Sequence, residues 1–346
     1  MPVTVQAMTE GTSLAGIHSC SVASGVAGES PIGWAVGGYR FVLVEVPLPW
    51  PAKAKTARGM PPGLASVIDA AGWWDPTFQA VAPDPRWSVP GRTRVVLYDR
   101  SAPVNGAFTR REFVVAPAEV ADLVRAWQEG SDVGEGEPGA NRVRDILVCA
   151  HGSHDACCGR LGIPVHRFLS DDHTASGGAG SEVRVWRASH TGGHRFAPTM
   201  LDLPDGRSWG RLRTEDAQSV VERTAHPSTL RERYRGLGTL ASFQERLVEA
   251  ELLFEHGWAW TDLYISGSVE SGEADVYAEE IDASFDPSVV RITATDLITG
   301  ATRTYEGVVQ RGGDIVTRGE CRDEDWDLPT YSVTSLQTID QDVSVR

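Results

Sequence analysis

Two strand-length apolar runs, FVLVEVP (41–47) and RVVLYDR (94–100), mark the first part of the chain, both rich in β-branched and aromatic residues. PAEVADLVRAWQ (117–128) then spaces its apolar residues at helical intervals. These predict an N-terminal α/β domain over residues 1–129. From Glu129 the chain turns Gly-rich, acidic and aperiodic (EGSDVGEGEPGAN), which reads as a linker over 130–141. A middle domain, 142–260, opens with RDILVCA (144–150) as a strand, a Cys/His loop and a short helix over about 163–169. The strand EVRVWRAS (182–189) and a hairpin follow, in which TMLDLP (199–204) and RSWGRL (207–212) flank the Asp205-Gly206 turn. Helices are predicted from Thr214 to about Arg223, and over about 240–255, where Leu240, Phe243, Leu247, Ala250 and Phe254 form one apolar stripe. The order β-α-β-β-α is that of a small α/β sandwich. Over 261–346, ADVYAEEIDASF (274–285), SVVRITATDLI (288–298) and ATRTYEGVV (301–309) alternate polar with apolar and predict a C-terminal antiparallel β region. The expected fold class is α/β (α+β), and no long-period repeat is visible.

Composition narrows the function more than the fold. Over 346 residues, 32 Lys+Arg face 47 Asp+Glu, a formal charge of −15. That argues against nucleic acid or an anionic membrane surface as partner, since both select a basic face. The first thirty residues lack a basic segment followed by a long apolar run, and no stretch approaches the 18 apolar residues of a membrane span. A cytoplasmic protein with reduced thiols is therefore expected, in which clustered cysteines bind metal more often than each other.

The five cysteines are unevenly placed. Cys20 and Cys321 are isolated, whereas Cys149, Cys157 and Cys158 fall within ten residues of a strand end, in Cys149-Ala-His-Gly-Ser-His-Asp-Ala-Cys157-Cys158. Past the next strand comes His190-Thr-Gly-Gly-His194. Thiolate and imidazole are the donors that favour zinc, copper or iron–sulfur centres. Two glycines between the histidines each cost about 1 kcal/mol in a helix, so this segment is expected as a loop that approaches an anionic centre closely. Two Cys and two His also make a valid tetrahedral zinc set, although eight residues between the cysteines is long for a structural zinc knuckle. Cys149-Ala-His151 mimics half of a Rieske box, but no second Cys-x2-His follows.

The pattern Cys-x8-Cys followed by His-x-Gly-Gly-His, with the flanking RFAP and LPDG, resembles the sucrase/ferredoxin-like family of thioredoxin-like ferredoxins. The resemblance is dense over 147–212, weaker over 19–51 and thin after about 260. It implies a thioredoxin-like ferredoxin domain over 142–260 and a 2Fe-2S cluster, with Cys149 and Cys158 on one iron and His190 and His194 on the other. Where this chain has His154, the family usually carries Arg or Lys. Replacing two thiolates by imidazoles raises the potential, toward about −150 to +300 mV against about −400 mV for all-cysteine plant-type centres. A potential that falls as pH rises is then expected, because each ligating imidazole keeps an N–H.

The resemblance thus implies a one-electron carrier, rather than a catalyst in its own right, working between a reductase and an acceptor protein that the sequence does not name. The alternative is a zinc-stabilised Cys2His2 binding or structural module without redox activity. Cys157, Asp155, Gly192, Gly193 and Arg195 are expected to support the ligands, with Cys157 also open as the second cysteine ligand. Asp155 could cap the loop or accept a hydrogen bond from a ligand imidazole, and Arg195 could meet an acidic partner or an acidic surface group. Cys20 and Cys321 are expected as plain core or surface thiols, and His151 and His154 as neighbours of the ligands. Pro198 stands where thioredoxin-like folds commonly carry a cis-proline.

Overall fold

The computed structural model describes Leu14 and residues 16–71, 76–104, 107–172, 182–271 and 287–342. The segment ADVYAEEIDASF (274–285) lies outside the described residues. A short helix α1 (Cys20–Val26) precedes β1 (Arg40–Glu45), α2 (Leu64–Ala71), β2 (Thr77–Val81), β3 (Thr93–Val104), β4 (Ala107–Val115) and α3 (Val120–Gln128). The middle part contributes β5 (Val143–Cys149), α4 (Ala156–Asp172), β6 (Glu182–Ala188), β7 (Met200–Leu203), β8 (Arg207–Trp209) and α5 (Thr214–Glu222). Then come β9 (Tyr234–Leu237), α6 (Phe243–His256) and the C-terminal strands β10 (Tyr264–Val269), β11 (Ser288–Thr295), β12 (Thr302–Thr317) and β13 (Trp326–Asp342). The fold is α/β, with a nine-stranded mixed sheet and a separate four-stranded antiparallel sheet, β10-β11-β12-β13.

The large sheet runs β4-β3-β1-β2-β6-β5-β7-β8-β9 and contains a topological repeat. In the first half β1 and β2 are parallel, while β3 is antiparallel to β1 and β4 to β3. In the second half β5 and β6 are parallel, while β7 is antiparallel to β5 and β8 to β7. Each half is thus the same four-stranded unit, and the second has the order expected of a thioredoxin-like domain. The halves join antiparallel at Val81↔Ala188, so one sheet spans the N-terminal and middle regions. Residues of the 130–141 segment pack beside β4, where the Glu137 N–H donates to the Glu112 carbonyl.

The sheet curls on itself. Four strand spacings separate β3 from β5 in hydrogen-bond order, about 19 Å in a flat sheet. Yet the Tyr98 hydroxyl on β3 donates directly to Asp145 on β5, and Arg110 on β4 reaches the same carboxylate at 2.7 Å. Phe41, Leu43 and Tyr98 from one half share a buried cluster with Leu147, Trp186 and Leu201 from the other. The opposite face of β1, with Val42 and Val44, is covered by Leu64 and Val67 of α2 and Val120 and Val124 of α3. Both faces of β1 are buried, which is why its sequence is continuously apolar.

Two expectations need correction. The helix after β5 is not confined to 163–169: α4 begins at Ala156, so Cys157 and Cys158 lie in its first turn. Helix α6 is not amphipathic with a single buried stripe. Arg246 and Glu249 are buried as well, because α6 lies between the two sheets. Glu249 accepts hydrogen bonds from Arg207 at 2.6 Å, Tyr234 at 2.7 Å and Trp260 at 3.0 Å, which makes its burial tolerable.

Candidate metal centre

The carboxyl ends of β1, β2, β5 and β6 converge at the seam, and crevices outside strand carboxyl ends are where α/β sheets place their sites. Cys149 ends β5 and is fully buried. The chain then turns through His151 and Gly152 into α4, which packs so closely that a Cβ at Gly162 would fall on the Cys149 carbonyl oxygen. Asp155 caps the helix, accepting the Cys157 N–H at 2.7 Å. Successive helical residues are rotated by roughly 100°. Cys157 and Cys158 therefore face different neighbours.

Cys158 turns toward Cys149 and His190, whose Nδ1 lies 3.7 Å from the Cys158 sulfur and 4.0 Å from that of Cys149. The contact between the two thiols pushes the Cys158 titration up and, with His190, holds Cys149 well below the ordinary thiol range. His190 is held in place from behind. Its N–H donates to His151 Nδ1 at 3.2 Å, while His151 Nε2 donates to the Pro51 carbonyl at 2.8 Å. Burial lowers the His151 pKa, favouring this neutral tautomer. Trp50 and Ala52 accept further bonds from Ser153 and His154, so the loop after β1 cradles the loop after β5.

The His190–His194 segment is a loop, as its glycines require. Gly192 and Gly193 have φ of 76° and 66°. Beneath it lies buried Arg235, which donates to the Gly192 carbonyl at 3.1 Å. Burial, with Arg195 and Arg246 nearby, brings the Arg235 pKa down to about 9, while the Cys149 and Cys158 sulfurs oppose that fall. An added Cβ at Gly193 meets the Arg235 guanidinium, whereas one at Gly192 only touches Val36. Gly193→Ala is therefore expected to cost about 1–2 kcal/mol for the left-handed backbone, as at Gly192, and more for displaced Arg235. Urea unfolding of the two alanine variants checks this: equal losses would contradict the clash.

His194 Nδ1 lies 3.2 Å from Asp155 Oδ2, an arrangement that orients an imidazole with Nε2 toward a metal, and Nε2 lies 3.8 Å from Glu320 Oε1. Asp155 thus caps α4 and faces a candidate ligand, and His194 with Cys157 N–H holds its carboxyl well below the usual range. Arg195 turns inward, pairing with buried Glu29 at 2.7 Å and lying 4.2 Å from the Trp34 ring centroid. The Ala197–Pro198 bond is cis. His154, an expected bystander, stacks on His190 with ring centroids 3.9 Å apart.

The donor atoms fall into two overlapping sets. Cys149, Cys158 and His190 form one, and His190, His194 and His154 the other, with every ligand atom in a set within 4.8 Å of the rest. A cleft of about 650 Å³ opens on the imidazole side, lined by His154, His190, Lys53 and Arg195 among others. The thiol end is buried and the imidazole end partly open. A family model described as sucrase/ferredoxin-like matches residues 32–236, more than half of the chain.

The chain belongs to the sucrase/ferredoxin-like family. Among curated proteins, this sucrase/ferredoxin-like chain is 34% identical over 95 residues to altered inheritance of mitochondria protein 32 of Meyerozyma guilliermondii, covering 26% of this chain. It spans about a third of that relative's length (33%). No solved structure matches it. No helix among the described residues is long and apolar enough to cross a membrane.

Sequence reasoning passed over Cys20 and Cys321. Their sulfurs lie 3.5 Å from each other and 3.6 and 3.2 Å from that of Cys157. Cys157 therefore belongs with these two thiols and not with Cys149. Its thiol is brought down to about 5, chiefly because Cys20 donates to it. Separations of 137 and 164 residues leave no local spacing by which the sequence could have announced this group.

Proposed function

We propose that this protein is a cytoplasmic one-electron carrier whose 2Fe-2S cluster is held by Cys149 and Cys158 on one iron and by His190 and His194 on the other. The observation that carries the reading is the extended donor set, in which His190 belongs both to a group with the buried thiols of Cys149 and Cys158 and to a group with His154 and His194 beside the cleft. A single tetrahedral zinc needs four donors in one compact group, whereas a two-iron centre needs a donor pair at each end. Bound there, the cluster supplies a reversible one-electron couple. His151 fixes His190, Asp155 orients His194, and Arg235 places a buried cation beside the thiolates, which offsets negative charge. The half-open histidine side gives a redox protein close approach, and the chain's negative charge suits a basic docking face on it.

The test is anaerobic reduction of the isolated protein followed by EPR, with iron and sulfide analysis and voltammetry from pH 6 to 10. Two irons and two sulfides per chain, a reduced signal with histidine-type g-values, and a potential that falls as pH rises are expected. A colourless protein with one zinc on two sulfurs and two nitrogens would establish the Cys2His2 module instead. A potential flat across the range would remove the imidazole N–H groups from the couple.

A further inference from the structure

We propose a second metal centre, distinct from the iron ligands: a structural zinc site formed by Cys20, Cys157, Cys321 and Asp155. The four ligand atoms lie mutually within 4.8 Å, and all three cysteines are free thiols. The sulfur–sulfur distances are 3.2, 3.5 and 3.6 Å, and Asp155 Oδ1 lies 3.4 Å from Cys321 Sγ and 3.9 Å from Cys20 Sγ. Zinc bonds of about 2.3 Å to sulfur and about 2.0 Å to oxygen make a tetrahedron with S–S edges of about 3.8 Å and S–O edges of about 3.5 Å. Four of these distances match those edges to within about 0.4 Å before any ion is placed, and the Cys157–Cys321 pair, at 3.2 Å, has to open by about 0.6 Å. A disulfide would use two of the sulfurs and leave the third thiol and the carboxylate without a purpose. Three soft donors with one carboxylate select a d10 tetrahedral ion over calcium or magnesium.

The surroundings are those of a metal-bound thiolate set. The Cys20 N–H donates to the Cys321 sulfur at 3.4 Å, and Ser19 Oγ lies 3.1 Å from the Cys157 sulfur. The second oxygen of Asp155 faces His194 Nδ1. Asp155 thereby connects the zinc group to a proposed iron ligand. The three cysteines come from α1, from the first turn of α4 and from the turn between β12 and β13, so the ion ties α1 and that turn to the helical turn that carries Cys158. Thr317 and Arg318 at that turn bond Glu29 and the Ile17 carbonyl, which places the turn there without the metal.

The inference does not depend on iron binding. Elemental analysis of the full-length protein, purified without a metal-affinity tag or chelator, is expected to give one zinc per chain, and zinc-edge absorption spectroscopy three sulfurs at about 2.3 Å and one oxygen at about 2.0 Å. Cys321→Ser and Cys20→Ser should each lower zinc at least tenfold while the visible spectrum stays unchanged. Wild-type protein without zinc, also after zinc is added to the reduced protein, would overturn the site. So would a zinc shell of two sulfurs and two nitrogens, which would put the ion on Cys149, Cys158 and the histidines, or variants that lose colour while keeping zinc. If a variant fails to fold, wild-type stoichiometry and the zinc-edge shell still decide.

Discussion

Cys158→Ser is expected to yield a protein with less than about a tenth of its iron and no visible absorption, whereas Cys157→Ser keeps both. The two side chains are neighbours in sequence and strangers in space, because one helical step of roughly 100° sends them to different groups. Cys158 lies beside Cys149 and faces His190, while Cys157 faces Cys20 and Cys321. A serine at 158 offers a hard, shorter-reaching donor at a fully buried position, with no neighbouring thiol on that side to replace it. Iron, sulfide and the absorption spectrum of the two variants decide the matter. Retention of the cluster in Cys158→Ser with loss in Cys157→Ser would exchange the two assignments.

Asp145→Ala is expected to destabilise the fold by about 3–5 kcal/mol, the cost of leaving buried Tyr98 and Trp186 donors unsatisfied and of taking from Arg110 one of its two carboxylates, Glu112 at 2.6 Å being the other. Asp145 is fully buried and receives Tyr98 and Arg110 from one half of the sheet and Trp186, at 2.6 Å, from its own half. This carboxylate stands where the sheet closes on itself, so its removal leaves the Tyr98 and Trp186 donors without their acceptor, while Arg110 keeps Glu112 and the Ala140 carbonyl. Denaturant unfolding measures the loss, with Asp145→Asn losing less because its amide oxygen still accepts from Trp186 while its NH2 donates to the Tyr98 hydroxyl oxygen. A loss under 1 kcal/mol for the alanine variant would mean that apolar contacts alone hold the two halves together.

Much of the fold was legible because strands here carry their own signal. FVLVEVP, RVVLYDR, RDILVCA and EVRVWRAS all became strands, and Asp205-Gly206 became the β7–β8 turn. The start of α4 was not legible. Gly159, Gly162 and Pro164 lower its helix propensity, and the structure uses at least Gly162 for contact: only a residue without Cβ lets the helix rest on the end of β5. The repeat between the halves left no trace in the sequence, since topology constrains only which positions are apolar. The cysteine and histidine motifs pointed to one set of donors, and the structure places Cys149, Cys158 and His190 within 4.8 Å of one another. The three-thiol group was invisible because its members meet only when both ends of a 346-residue chain have folded onto its middle.

The way the walls of the site are distributed along the chain bears on when metal can enter. A ribosome has released all four proposed iron ligands once His194 has emerged, but Arg235 beneath the histidine loop and the turn carrying Cys321 are still unmade. A nascent chain would therefore offer two thiols and two imidazoles on an unfinished scaffold, open to oxygen and to any loosely held metal. With the proposed cluster and zinc, loading would then follow synthesis, once the last hairpin has closed over α1, and the order of the two would follow from the same timing. An early cluster would sit in a half-built pocket, whereas a zinc ion arriving at the end would lock the door behind it.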